Sequence, residues 1–387
     1  MKRVAVVGVG QTKFRTRRDD KTHPELTREA VSRALEHAGI TMDDVDAFVF
    51  GTMDPFDGIN CPDRWSSTAA GFGKPFMKIS TGGTTGLTTG IAAYQHVASG
   101  LFDVVVAVCT QRVGENVDAQ PVLNTAVDPI YERYSGVGAI SVAAIQATVH
   151  MQKYGTTEEQ MAWVSVKDHE NALKNPYAHI QKRLSVEDVL SSPVVSSPLK
   201  LYECCPRSDG SVAVVFASGE KAEEIRDNPA WILAESSISD SYFVGDRPDL
   251  AVWDSLTIAG RRLYRLAGID DPKKDIDVAE LYSPFTIQEI LELEALGFAE
   301  KGEGAGLAEE GVTFVDGDMP TNPSGGVLCT NPIGATGLVR LGEASLQVMG
   351  EASNQVDGAE VALAHAWGGT LQFHALMLVS SHKKLRR

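Results

Sequence analysis

Cys329 and Asn331 stand two residues apart in the Gly-rich segment NPSGGVLCTNPIGATG (322–337), where two kinds of chemistry are available. A cysteine thiolate is a nucleophile, and an asparagine amide can donate a hydrogen bond to a carbonyl oxygen that gains negative charge. The alternatives are ordinary structural roles. Most free cysteines are small core residues, and asparagine before proline is common in turns.

Tyr282 and His365 are candidates for proton transfer. Tyr282 follows an apolar stretch in DVAELYSPF (277–285), and His365 ends an apolar stretch in AHAWGG (364–369). Tyrosine and histidine can both act as general acids or bases. The alternatives are a buried tyrosine whose hydroxyl merely finds a partner and a histidine satisfied within the core.

Glycines lie close to these candidates, and they allow a bound cofactor or a neighbouring segment to approach the backbone closely. We therefore predict cofactor-binding segments at Gly325, Gly326 and Gly368. Asp209-Gly210 is predicted to form a turn. The remaining cysteines are interpreted as structural: Cys61, Cys109, Cys204 and Cys205.

Short β-branched runs alternate with helical stretches along the chain. Strands are predicted at 3–8, 46–50, 76–80, 103–109 and 211–217. Helices are predicted at 25–38 and 83–99. This alternation is typical of α/β proteins, in which helices cover parallel sheets.

An internal repeat indicates how the chain is organised. GTTGL at 83–87 and GATGL at 334–338 are each followed by a Gln eight or nine residues later and by an apolar strand that an acidic residue precedes. Two copies separated by about 250 residues predict a duplicated α/β unit. We place the two halves at 1–250 and 251–387.

Residues 110–205 interrupt the first half with a polar stretch rich in Asn, Tyr and His. A long insertion in a compact unit is usually functional, so we expect a subdomain that covers the substrate. Tyr177 and His179 would then cover the substrate or line its interface. The alternative is a surface excursion without a role in the site.

The composition excludes several functions. The net charge is −16, and Lys and Arg cluster at the C-terminal end alone, so binding to nucleic acid or an anionic membrane is not expected. Five cysteines without a CxxC pair predict neither a disulfide framework nor a zinc site in this chain. The apolar N-terminal run is too short for a signal peptide, and a cytoplasmic location is expected.

Five segments in order along the chain resemble motifs of the thiolase family. DVAELYSPF is similar to the loop ending in N-E-A-F or H-D-C-F, and NPSGGVLCTNPIGATG is similar to N-x-x-G-G-x(5)-H-P-x-G-A-T-G. ENALKNPYA (170–178), CCPRSDGSVAVVFAS (204–218) and AHAWGG resemble its sterol-carrier-type branch. The resemblance implies two similar βαβαβαββ halves in a five-layered αβαβα core, with a large inserted loop, in a homodimer.

The sequence departs from the family at the catalytic positions. The family's nucleophilic cysteine, at the N-terminus of the first repeated helix, aligns with Ser80, and serine would need a strong base that its segment does not provide. Tyr282 stands where the family has Asn or His, and Asn331 stands where the family has His before proline. Ala366 replaces the second cysteine. The resemblance leaves Cys329 as the substitute nucleophile to be considered, with His365 at the family's terminal histidine.

These departures resemble a branch that works with a separate small subunit carrying a zinc finger and an OB-like domain, of the DUF35 type. The first function this implies is thiolytic, retro-Claisen cleavage of a bulky or aromatic β-ketoacyl-CoA by coenzyme A, as in benzoylsuccinyl-CoA thiolase of toluene degradation. The second is retro-aldol cleavage of a β-hydroxyacyl-CoA with Tyr282 as acid/base. The third is an inactive thiolase-like scaffold.

Overall fold

The computed structural model describes residues 2–113 and 117–385. The strands are β1 Val4–Gln11, β2 Ala47–Gly51, β3 Phe76–Ile79, β4 Val104–Gln111, β5 Val194–Ser196, β6 Leu199–Lys200, β7 Gly210–Ser218, β8 Ala230–Ser239, β9 Val278–Glu280, β10 Val361–Gly368 and β11 Phe373–Ser380. The helices are α1 His23–Ala38, α2 Asp54–Asp57, α3 Asp63–Gly71, α4 Thr85–Ala98, α5 Ala119–Asn124, α6 Ala139–Tyr154, α7 Glu158–Ala172, α8 Val186–Leu190, α9 Gly219–Ile225, α10 Asp254–Ala267, α11 Pro272–Asp275, α12 Thr286–Ala295, α13 Gly306–Glu309, α14 Gly326–Cys329 and α15 Thr336–Met349.

Nine strands form one mixed sheet in the order β3-β2-β4-β7-β1-β8-β11-β10-β9. A short antiparallel contact, Ala5 with Trp231 and Val6 with Ala230, joins β1 to β8. On each side of this junction the strands follow the same plan, because β8, β11, β10 and β9 correspond to β1, β7, β4 and β2. The duplicated unit is therefore confirmed. In the described residues, the second section has four strands and no counterpart of β3.

The helices complete a layered core. α1 covers the outer face of the first sheet section, and α10 covers the outer face of the second. α4 and α15, the two helices of the repeat, pack against each other and contact strands of both sections. The five layers αβαβα expected from the sequence are confirmed, and the strands and helices predicted along the first half lie within a few residues of the observed ones.

The connection between the halves lies between β7 and β8. β8 pairs with β11 of the second section, and its last residue, Ser239, precedes the predicted boundary at 250. We propose that residues 219–229, which contain α9, form the boundary. The insertion runs from β4 to β7, and its α7 packs on α12, α13 and α14 of the second half.

In the part of the chain that the structure describes, no helix combines the length and apolar character required to cross a membrane.

The contact between α4 and α15 depends on two glycines. A Cβ atom at Gly86 would lie 2.5 Å from the backbone nitrogen of Leu338, and one at Gly337 would lie 2.6 Å from that of Leu87. Both distances are shorter than the 3.0 Å below which non-bonded Cβ atoms essentially never approach another heavy atom. The helices can therefore cross this closely only where neither has a side chain.

We predict that Gly86→Ala lowers the free energy of unfolding by about 1–3 kcal/mol because of overpacking. Gly260→Ala in α10 is the matched control. A Cβ there would meet the flexible end of Leu296 at 3.3 Å, and alanine favours a helix interior by up to about 1 kcal/mol. Urea unfolding of both variants measures the difference. Equal stability of Gly86→Ala and wild type would show that the interhelical contact tolerates a side chain.

Candidate active site

A cavity of about 610 Å³ opens where the start of α4, the end of β10, the loop after β9 and the insertion meet. Its walls are mainly apolar and include Phe56, Val122, Leu123, Ala139, Ile140, Phe285, Ile333 and Phe373. Tyr282, Asn331 and Gly368, three of the residues expected from the sequence, also line it. Among residues 2–113 and 117–385, no group of three or more His, Cys, Asp or Glu side chains is placed to hold a metal ion.

Tyr282 presents a protonated phenol to the cavity wall. Its hydroxyl makes long contacts of 3.5 Å with Asn331 Oδ1 and with the carbonyl oxygen of Ile333. Burial, followed by the nearby Cys205, raises the pKa of Tyr282 well above its usual value. The phenol is therefore neutral near pH 7, and its weak partners leave the proton available to a ligand.

The amide of Asn331 is held in one orientation. Its Oδ1 accepts hydrogen bonds from Thr336 Oγ1 at 2.8 Å and from the backbone N–H of Ile333 at 3.2 Å. Its Nδ2 donates to Cys205 Sγ at 3.1 Å, which leaves the second N–H as a donor at the cavity wall. Ile333 has φ +37°, a strained value for a β-branched residue, as is common at functional sites.

Glycine occupies the point where α4 reaches the cavity. A Cβ atom at Gly83 would lie 2.4 Å from the carbonyl oxygen of Trp367, and one at Gly368 would lie 2.4 Å from the backbone nitrogen of Gly83. The start of α4 and the end of β10 therefore touch backbone to backbone. No side chain, and so no side-chain nucleophile, fits at Gly83.

Ser80, the position aligned with the family's nucleophile, is exposed at the end of β3 and does not line the cavity. The turn at residues 81–85, between Ser80 and α4, explains why Ser80 lies away from the cavity. Thr85 Oγ1 accepts from the N–H of Thr81 at 2.8 Å and donates to the carbonyl oxygen of Gly82 at 2.6 Å. This turn brings Gly82 and Gly83, not Ser80, to the cavity.

Cys329 is fully buried away from the cavity, with its thiol 3.5 Å from the carbonyl oxygen of Asp168. Burial raises the pKa of Cys329 well above its usual value, so it is neither ionised nor accessible. Cys204 and Cys205, interpreted from the sequence as structural, instead line the cavity. Burial raises the pKa of Cys205 to about 11, so its thiol is neutral near pH 7.

The other predicted residues lie behind or beside the cavity. His365 is fully buried among Glu292 and His374. A Cβ at Gly325 would lie 2.5 Å from that of Ala172, and Gly326 similarly approaches Asp168, so both glycines let their loop contact α7.

Three further candidates from the sequence lie outside the cavity lining. His179 bonds Thr16 and Ser208, and Tyr177 stacks under the Arg33 guanidinium. Asp209 Oδ2 accepts from the backbone N–H of Arg18, which holds the start of β7 against the N-terminal loop.

Two domain families match the sequence. The thiolase N-terminal domain matches residues 4–220, and the thiolase C-terminal domain-like family matches residues 236–381. An acetyl-CoA acetyltransferase of Methanothermobacter thermautotrophicus is 39% identical over 96% of this chain and 97% of its own length. A 17-hydroxy-3-oxo-4-pregnene-20-carboxyl-CoA lyase of Mycobacterium tuberculosis is 33% identical over 94% of this chain and 96% of its own.

Among solved structures, one described as Ltp2-ChsH2(DUF35) aldolase superposes with a TM-score of 0.85. The two sequences are 27% identical, and the superposition covers 98% of each chain. The chain is thus similar over nearly its full length to an acyltransferase, a lyase and an aldolase.

The raised pKa of Cys205 predicts how its reactivity depends on pH. Alkylation by iodoacetamide requires the thiolate, whose fraction rises about tenfold per pH unit below the pKa. We expect slow labelling of Cys205 at pH 7 and a steady rise through pH 9, measured by peptide mass spectrometry, with Cys205→Ala to assign the peptide. Rapid labelling at pH 7 that does not rise further would reveal a thiolate, and with it a competent nucleophile.

Proposed function

This chain belongs to the thiolase family, and we propose that it cleaves the carbon–carbon bond of a β-hydroxyacyl coenzyme A thioester by a retro-aldol reaction, without a covalent intermediate. The observation that carries the proposal is the backbone contact of Gly83, where a Cβ would lie 2.4 Å from the Trp367 carbonyl oxygen. Acyl transfer through the enzyme needs a nucleophilic side chain, whereas a retro-aldol reaction does not.

The reaction moves one electron pair and one proton. As the carbon–carbon bond breaks, its electron pair goes to the α-carbon of the thioester, and the hydroxyl-bearing carbon becomes a free aldehyde or ketone. The hydroxyl proton is lost, and the α-carbon takes up a proton. Tyr282 is placed to do both: its neutral, weakly held phenol gives its proton to the α-carbon and takes the hydroxyl proton in exchange, so the phenol is protonated again when the products form.

Asn331 stabilises the thioester enolate in this proposal. Negative charge develops on the thioester oxygen as the bond breaks. The Asn331 amide cannot turn, because Thr336 and Ile333 hold Oδ1, so its free N–H is oriented before the substrate binds. A donor that is already oriented needs no rearrangement when charge appears, which is the basis of an oxyanion hole.

The lining suggests a bulky apolar acyl group. α5 and α6 of the insertion contribute Val122, Leu123, Ala139 and Ile140 to the lining, which supports a substrate-covering role for the insertion. The 610 Å³ volume is in the range of pockets that enclose most of a small organic ligand. Coenzyme A enters as part of the substrate.

Thiolytic cleavage of a β-ketoacyl-CoA, the first function expected from the sequence, is the second candidate. The 39% identity to an acetyl-CoA acetyltransferase favours it. In this reaction the thiol of coenzyme A would attack the keto carbon directly, and Asn331 would hold the oxyanion. A bulky aromatic substrate such as benzoylsuccinyl-CoA belongs to this candidate.

We also propose a small zinc-finger/OB-like partner of the DUF35 type. The name of the solved Ltp2-ChsH2(DUF35) aldolase includes a DUF35 component. Arg207 is the one Lys, Arg or His among the described residues lining the cavity, and it pairs with Asp118 at 3.3 Å. This chain, with a net charge of −16, thus offers few positive side chains to bind the phosphates of coenzyme A. Tight coenzyme A binding by the isolated chain, measured by calorimetry, would contradict this need.

A product assay tests the reaction. A β-hydroxyacyl-CoA with a tertiary hydroxyl should yield a free ketone with no consumption of coenzyme A. Tyr282→Phe removes the phenol proton at nearly constant volume and should lower kcat by roughly 10²–10⁴-fold. Tyr264→Phe is the matched control, since that buried hydroxyl bonds the Leu296 carbonyl away from the cavity.

Coenzyme A consumption with a β-ketoacyl-CoA, and no ketone from the hydroxy substrate, would replace the retro-aldol proposal by thiolysis. Absence of both products across the substrate panel, with and without a partner subunit, would leave the scaffold interpretation. Unchanged kcat in Tyr282→Phe would show that another group moves the proton.

We propose that the homodimer forms along β3. This edge strand has one neighbour in the sheet, β2, and its Phe76 and Met77 side chains are 39% and 42% exposed. An apolar edge strand with unpaired backbone groups favours pairing with another strand. A second copy across a twofold axis would pair β3 with itself and extend the sheet through both protomers.

Met77→Lys places a charge in this interface and should shift the chain from dimer to monomer in gel filtration with light scattering. Val194→Lys on β5 is the matched control, because Val194 is exposed and apolar but lies outside the nine-stranded sheet. A dimer that survives Met77→Lys, or dissociates equally in both variants, would place the interface elsewhere.

A further inference from the structure

A buried polar cluster lies directly behind the cavity wall that carries Tyr282. Glu292, on α12, is fully buried, and its Oε2 accepts a hydrogen bond from Ser283 Oγ at 2.5 Å. Ser283 directly follows Tyr282 in the loop between β9 and α12. Burying a carboxyl group completely costs free energy unless its oxygens have partners. The partners of Glu292 therefore indicate its role.

The other carboxyl oxygen of Glu292 faces a histidine. Glu292 Oε1 and His365 Nδ1 lie 3.7 Å apart, and neither atom has a hydrogen-bond partner. On its far side, His365 Nε2 lies 3.3 Å from His374 Nδ1, and the two rings stack with centroids 5.6 Å apart. Three titratable groups thus follow one another from α12 across β10 to β11.

These contacts fit one arrangement of protons. Burial raises the pKa of Glu292 well above its usual value and lowers that of His365 well below, so both groups are uncharged near pH 7. The uncharged carboxyl group and the uncharged imidazole then lie 3.7 Å apart without unpaired charge, and His365 can donate from Nε2 to His374 Nδ1 at 3.3 Å. The Oε2 carbonyl remains the acceptor for Ser283.

We infer that Glu292 is a positioning residue for Tyr282, held by its hydrogen bond with Ser283 and packed against His365. The inference rests on the catalytic role proposed above for Tyr282. Two connections reach that residue. The side chain of Ser283, the residue after Tyr282, donates a hydrogen bond to Glu292. Trp367, two residues after His365 on β10, donates its indole N–H to the Tyr282 carbonyl oxygen at 2.7 Å.

Together these connections fix the tyrosine ring. The indole of Trp367 also packs edge-on against the Tyr282 ring, with centroids 5.8 Å apart at 66°. The phenol therefore points to Asn331 and Ile333 because the Tyr282 carbonyl is anchored to β10 and the following residue is anchored to α12. Loss of either anchor lets the ring move, and a displacement of about 1 Å at a reacting group can cost up to about 10²-fold in rate.

Three substitutions separate this role from simple packing. Glu292→Ala removes both contacts and should lower kcat by up to about 10²-fold with little change in KM. Glu292→Gln keeps a carbonyl for Ser283 and supplies an N–H for His365, so it should recover most of that loss. Glu294→Gln is the matched control, since the Glu294 carboxyl on the same helix bonds His150, outside the cluster.

A spectroscopic readout tests the position of Tyr282 without an activity assay. The chain labelled with 3-fluorotyrosine should give fluorine signals for nine tyrosines, and Tyr282→Phe identifies one of them. Glu292→Ala should shift and broaden the Tyr282 signal, whereas Glu292→Gln and Glu294→Gln should leave it in place. Should Glu292→Ala not fold, Ser283→Ala, which removes the same contact from the other side, should shift the signal.

The outcomes are distinct. An unchanged Tyr282 signal in both Glu292→Ala and Ser283→Ala overturns the positioning role. A Glu292→Gln variant as impaired as Glu292→Ala overturns the neutral acid, because an ionised carboxylate would then be required. A wild-type enzyme without retro-aldol activity overturns the proposed function alone, since the fluorine signal still reports whether Glu292 positions Tyr282.

Discussion

The backbone contact between Gly83 and Gly368 sets the geometry of the whole site. The turn just before α4 lies against the end of β10 so closely that a Cβ on either glycine would enter the other segment's backbone. The same closeness recurs at Gly86 and Gly337, where the two repeated helices cross. The centre of the five layers is therefore held by glycine–backbone contacts, and the cavity opens at their edge. Any side chain large enough to attack a substrate from this position would separate α4 from β10.

In the proposed reaction, the reacting groups come from the second half of the chain. Tyr282 lies on the loop after β9, and Asn331 lies on the loop before α15. Neighbouring side chains hold both residues in place, Thr336 for the amide and Trp367 for the tyrosine backbone. A phenol with a raised pKa and a fixed amide N–H suit a reaction that develops an enolate and moves one proton.

The sequence predicted features that depend on local rules. Glycine spacing in GTTGL and GATGL identified the two central helices, since close crossing requires glycine at those points. β-branched runs identified the strands of the first half. Tyr282 and Asn331 were predicted from their motif positions in a family, and the structure places both in the cavity lining.

Features that depend on distant contacts were missed. Cys205 meets Asn331 across 126 residues of sequence, and nothing near the Cys-Cys pair indicates that contact. Ser80 aligns with the family's nucleophile position by counting along the chain, and counting cannot show that hydrogen bonds of Thr85 turn the backbone and bring Gly82 and Gly83 to the cavity. In the sequence, Glu292 resembles any surface glutamate of an amphipathic helix. Its burial follows from the packing of α12 against α6, α7 and α10.

The central claim is that turnover at this site proceeds without an acyl-enzyme. Intact-protein mass spectrometry of the enzyme, quenched in acid during turnover of its thioester substrate, tests this most directly. The account predicts the unmodified mass of the chain at every time point. A transient mass increase equal to the acyl group, mapped to any side chain, would contradict it.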